Sequence, residues 1–176
     1  MEYLAANKGF TALAAANEAD VHELVERLHL QYVALAGVAS SQAKVVVWTD
    51  NAHASDFHAK LGRKAYSIAF AFRRGAVSAI GVEGGESRGQ NVYSAGASAE
   101  GTGDAVLSAA AIPQFFLNAT AVPGSSALGR WLADSHLFHN LGAYWVLDDP
   151  DASLQPQELS HSYDGVIFVE EVHAGQ

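Results

Sequence analysis

Apolar positions in the first forty residues recur at helical spacing. Residues 2–17 are alanine-rich and interrupted by Gly9, which costs a helix about 1 kcal/mol against alanine. Asp20 is placed to cap a second helix. Behind it Val21, Leu24, Val25, Leu28, Tyr32 and Leu35 repeat at i, i+3, i+4 and i+7, the stripe of an amphipathic helix, and Gly37 stops it. The pattern then changes. Val45, Val46 and Val47 run on without alternation into Trp48, which predicts a strand over 44–49 buried on both faces, as in a helix-covered sheet. The polar run Asp50-Asn51-Ala52-His53 follows at its C-terminal end, and Ser55 is placed to cap a short helix ending near Gly62.

Residues 64–72 and 76–82 are rich in aromatic and β-branched positions, and Arg73-Arg74-Gly75 between them predicts the turn of a hairpin. Residues 83–103 are rich in Gly and Ser and predict a long loop, with a short strand at most at Val92-Tyr93. A helix near 103–111 ends before Pro113, and a strand covers 114–118. Pro123-Gly124 turns the chain, and Ser125 or Ser126 starts a helix over Leu128, Trp131 and Leu132. A strand at 142–147, a loop over 148–158 with Pro150 and Pro156, and a last strand at 165–169 complete the series. Helices alternate with strands, so the predicted class is α/β, a mixed β-sheet flanked by helices, in a single domain over 1–176.

Composition narrows the partners. Charged residues are 16% of the chain and hydrophobic ones 49%, which suits a folded core. The net charge of -9 with only 10 Lys and Arg disfavours nucleic acid and anionic membrane surfaces, both of which need clustered cations. Cysteine is absent, so disulfides, thiolate nucleophiles and Fe–S clusters are excluded. No segment has the apolar length of a membrane span, and Glu2 stands where a secretory leader carries Lys or Arg. The expectation is a soluble, cytoplasmic protein with a small-molecule substrate, and a low charge fraction that suits association with a second copy or a partner chain.

The chemistry is expected at the tip of the valine strand, since ligands of helix-covered sheets bind beyond the strands' C-terminal ends. Asp50 and His53 are the candidate catalytic residues. His53 titrates in the right range to exchange protons, and Asp50 can orient it or accept a proton itself. Asn51 can bind a substrate carbonyl; equally, Asp50 and Asn51 suit an Asx turn. Arg73 and Arg74 can hold a carboxylate or form a charged turn. Trp48 and Tyr93, with Tyr66, Phe70 and Phe72, can line an apolar pocket or belong to the core. His22 and Glu26 share a helical face, His58 follows on the short helix, His136 and His139 fall in a loop, and His161 and His173 flank the last strand. No spacing among them gives a metal site, and no phosphate-binding glycine loop or nucleophile elbow is present. Neither a metal nor a cofactor is expected.

In order along the chain, these segments resemble the erythromycin-esterase-like family. Lys44 to Trp48 with Asn51-Ala52-His53 resembles its strand and His-Asn-x-His motif, and residues 66–72 with Gly75 resemble the following hairpin. Residues 109–117 resemble its alanine-rich helix and strand, and residues 163–171 its terminal strand. The likeness runs from about residue 20 to 174 and is to the family's C-terminal half. It implies an α/β fold with a large cleft and metal-independent ester or macrolide-lactone hydrolysis by a histidine-activated water. The family's activating histidine and an essential glutamate belong to an N-terminal half without counterpart here, and Asp50 replaces the motif's first histidine. The likeness therefore leaves three readings. One is a diverged acid–base enzyme for a small, largely apolar, polyketide- or macrolide-like substrate, by cyclisation or by ester hydrolysis. Another is a subunit completed by a partner chain, and the third is a non-catalytic small-molecule-binding protein.

Overall fold

The computed structural model describes residues 46–174. The chain divides into two compact units, Met1–Trp48 and Thr49–Gln176; the sheets, helices and core described all belong to the second. The helices expected over 2–17 and 20–36 lie outside the described residues.

Helix α1 (Asn51–Leu61) opens the unit. It is followed by the long strand β1 (Ile68–Glu83) and its partner β2 (Glu86–Ala95). Helix α2 (Gly103–Ser108), strand β3 (Gln114–Asn118) and helix α3 (Ala127–Ala133) come next. Strands β4 (His136–His139), β5 (Tyr144–Val146) and β6 (Leu154–Gln157), helix α4 (Leu159–Ser162) and strand β7 (Gly165–Val172) complete it. The main sheet has the order β2-β1-β7-β3, with β5 also paired to β1, and β4 and β6 form a separate two-stranded sheet. β1 is parallel to β7 and β5 and antiparallel to β2, while β3 is antiparallel to β7. This is the mixed α/β arrangement that the alternation of elements predicts.

One face of the β1–β7 ladder carries Ala69, Ala71, Val166 and Phe168. They are buried with Leu107 of α2, Leu132 of α3, Phe138 of β4, Leu159 of α4 and Tyr163. Small side chains on β1 leave room for these larger ones, which is how a sheet face and short helices reach close packing. Alternate residues point the other way, and there Phe70 and Phe116 remain 40% and 51% exposed. Among the described residues no helix is long and apolar enough to cross a membrane.

Several predicted elements form as expected. β3 fills 114–118, α3 starts behind the Ser126 cap with Gly129 N donating to Ser126 Oγ, and β5 and β7 fall on their apolar runs. Others are corrected. The described part of the 44–49 strand, residues 46–49, is irregular chain. The edge of β1 at Phe70 is instead bonded by a side chain, that of Asn51. The short helix begins five residues earlier than expected, and its cap is Asp50, not Ser55. Arg73-Arg74-Gly75 is no turn. β1 runs through it, because Gly75 pairs with Ala95 on one side and Val172 on the other. The turn lies at Gly84-Gly85, whose φ values of 57° and 81° suit a two-glycine hairpin. Residues 86–95 are therefore strand, not loop. They lie mostly exposed, and a polar edge strand shows no apolar alternation. His136 and His139 likewise sit in a strand, and 154–157 is strand within the expected 148–158 loop.

Candidate functional site

The site grows from the first turn of α1. Asp50 is extended at φ -71° and ψ 168° and caps the helix by accepting from His53 N at 3.0 Å. The same carboxylate lies 2.8 and 2.7 Å, through its two oxygens, from His53 Nδ1. A three-residue helical spacing thus brings a carboxylate and an imidazole together, because Ncap and N3 face each other across the first turn. The two side chains are 33% and 35% exposed, close enough to solvent to meet a ligand. The hydrogen bond from His53 holds Asp50 below the ordinary carboxylate range, and the same bond raises His53 above its ordinary value. Both shifts favour the ion pair. Nδ1 of His53 is thereby committed to Asp50.

Asn51 has a different task. Its amide donates to Phe70 O at 2.7 Å and accepts from Phe70 N at 2.9 Å. One side chain thereby takes the place of a neighbouring strand along that stretch of β1 and fixes the start of α1 against the sheet. Tyr163 adds a second tie: its hydroxyl donates to Asn51 O at 2.9 Å and lies 3.3 Å from Gln157 Oε1. Burial pushes the Tyr163 phenol up to about 12, with Asp50 and Asp56 adding to the rise. Further along the helix His58 Nδ1 stands 3.3 Å from Asp164 Oδ2, and Ala54 O accepts from Ser67 Oγ. Beside the first turn lies a water-sized cavity of about 10 Å³, bounded by Asn51, Phe70, His139, Gln157 and Tyr163 among others.

The remaining candidates occupy other places. Trp48 belongs to the preceding unit and is 84% exposed. Arg74 is exposed and faces Glu171 Oε2 at 3.4 Å, whereas Arg73 is half-buried with its Nη1 shut off from solvent. Tyr93 stacks on Trp145 with centroids 5.9 Å apart and planes 3° from parallel. It crosses Gly81, where a Cβ would overlap its hydroxyl. An open cleft of about 220 Å³ lies beyond, lined by Asn140, Tyr144, Trp145, Asp149 and Ser153. Among the described residues no group of three or more His, Asp or Glu is placed to hold a metal ion.

Sequence reasoning missed a buried imidazole–carboxylate pair. Asp104, wholly buried at the start of α2, accepts from His139 N at 2.9 Å and lies 3.0 Å from His139 Nδ1 through the same Oδ2. The partners are 35 residues apart on different elements, so no local spacing marks them. Tyr163 and Gln157 reach the first turn of α1 from equally remote positions.

This mixed α/β fold with a helix-capping Asp–His pair defines a candidate acid–base protein, and the comparisons give its family. The erythromycin esterase family model matches residues 16–172. The chain belongs to that family. A succinoglycan biosynthesis protein of known structure superposes with a TM-score of 0.51 at 10% identity, covering 67% of this chain and 26% of the other. A Bacillus cereus protein superposes with a TM-score of 0.53 at 15% identity, covering 69% of this chain and 28% of the other. At such identities the likeness is one of fold, and the chain spans about a quarter of each solved relative. No curated protein matches the chain.

Proposed function

We propose that the chain is an acid–base enzyme of the erythromycin esterase family that acts on a small, largely apolar ester or lactone of polyketide or macrolide type. The observation that carries this is the Asp50–His53 pair. A carboxylate on Nδ1 fixes the tautomer and orientation of the imidazole and stabilises its charged form. Half-exposed at the mouth of a helix, His53 can give a proton through Nε2 to a departing alkoxide. The same transfer serves lactone closure, in which a hydroxyl attacks an acyl carbon.

Turnover of a panel of p-nitrophenyl esters and macrocyclic lactones tests it. His53→Ala and Asp50→Asn should each lower kcat about 100-fold or more. In Asp50→Asn the alkaline limb of the pH profile should also move to lower pH, because His53 loses the partner that raises it. Wild-type rates in both variants would sink the proposal, and a wild-type chain that turns over none of the panel would leave a protein that only binds its ligand.

A second reading, a site completed by another chain or a second copy, draws on two facts. The chain spans 26% and 28% of its solved relatives, and Phe116 is 51% exposed on a sheet face. The oligomeric state tests it.

A further inference from the structure

Asp104 is 0% exposed, and only one of its oxygens is bonded: Oδ1 is buried without a hydrogen-bond partner. A buried carboxylate with an unsatisfied oxygen is costly, and a neutral amide would bond His139 N as well. What a carboxylate adds over an amide is negative charge beside the imidazole of His139. His139 is held on every side. Its Nδ1 faces Asp104 Oδ2 at 3.0 Å and Ser98 Oγ at 3.1 Å, its ring stacks on Phe72 at 5.2 Å, and its side chain is 10% exposed. Ser98 is no nucleophile for it, since serine and acid meet the same ring nitrogen and Ser98 Oγ donates to Arg73 O. A relay needs them on opposite nitrogens. Yet His139 also lines the cavity beside α1, together with Asn51, Gln157 and Tyr163. That volume, about 10 Å³, suits a single water with several polar neighbours.

We propose that His139, oriented by Asp104, is the general base of the site, activating a water in the cavity it shares with the first turn of α1. This rests on the ester- or lactone-hydrolysing form of the function proposed for Asp50 and His53. His139 Nε2 takes a proton from the water as its oxygen bonds to the acyl carbon. The acyl C–O bond then breaks, and its electrons leave on the alkoxide, which takes a proton from His53 Nε2. Ester and water become acid and alcohol; His139 releases its proton to solvent and His53 regains one. The two imidazoles divide the chemistry by their settings, one buried beside a water-sized space and one half-exposed and held charged.

The full chain is assayed with the ester and lactone panel, using Asp104→Asn and His139→Gln. Both should lose 100-fold or more in kcat with KM little changed. Wild-type rates in His139→Gln, with His53→Ala still impaired, would overturn this proposal and leave the role of His53 standing. A wild-type chain that turns over no ester or lactone would overturn both. If His139→Gln fails to fold, long-range ¹H–¹⁵N spectra of the intact protein decide. The neutral ring of His139 should carry its proton on Nδ1, which faces Asp104 and Ser98, with Nε2 as acceptor, and an Nε2–H tautomer would refute the assignment.

Discussion

Asp50 and Asn51 are neighbours with unrelated tasks, and substitution separates them. Asn51→Ala removes two hydrogen bonds to Phe70, and at about 1 kcal/mol each this should lower unfolding free energy by about 1–3 kcal/mol in urea titration. Asp50→Asn keeps a helix cap, so its signature is in pH. Asp50 sits below its ordinary 3.8, so its contribution to stability is present above that value and is lost as pH falls through the lowered one. His53 sits above its ordinary 6.5, so its contribution is present below that value and is lost as pH rises through the raised one. The pair therefore stabilises most between pH 3.8 and 6.5, modestly because both groups are a third exposed. Melting temperature measured across pH should show a rise in this window for the wild type and a flatter curve for Asp50→Asn. Asp50, Asn51 and His53 could be singled out from sequence because they cluster in four residues. The division of tasks among them could not, since it depends on Phe70, 19 residues away.

At the scale of elements, β1 is the organising unit: it takes β7 up to Gly75, then β2 and β5 beyond it. Gly81 lets Tyr93 reach across to Trp145. Gly81→Val should displace Tyr93, raise solvent exposure of Trp145 in its fluorescence spectrum, and destabilise by about 1–3 kcal/mol through overpacking. An unchanged Trp145 environment would contradict the packing. Elements with their own punctuation were legible in sequence. α3 has Pro123-Gly124 ahead of a serine cap, and β3 and β7 are dense apolar runs. β2 was hidden because its strand character comes from pairing with β1, not from buried side chains of its own. The break at Gly75 was misread as a turn because the close approach to Val172 that needs a glycine there is made by the last strand. Val46 and Val47 misled in the opposite sense. Local β-propensity predicts a strand, but a strand also needs a neighbour, and residues 46–49 are irregular.

For the whole molecule, the sheet face bearing the exposed Phe116 sets the expectation about assembly. Multi-angle light scattering on the purified chain should show a dimer or larger species, and Phe116→Asp should shift it toward monomer with an unchanged circular dichroism spectrum. A monomer at all concentrations would argue against completion by a second copy. The family was legible from the order of the segments along the chain. The proposed general base was not, because Asp104 and His139 meet only once α2 packs beside the small sheet of β4 and β6.

The amide of Asn51 occupies the edge of β1 at Phe70, and it belongs to the same helical turn that presents His53. Any fluctuation that frays this turn does two things at once: it scatters the proposed acid–base pair and uncovers backbone ready to pair with another molecule. Loss of activity on mild heating should therefore coincide with the onset of light-scattering aggregates, well before the core of β1 and β7 melts.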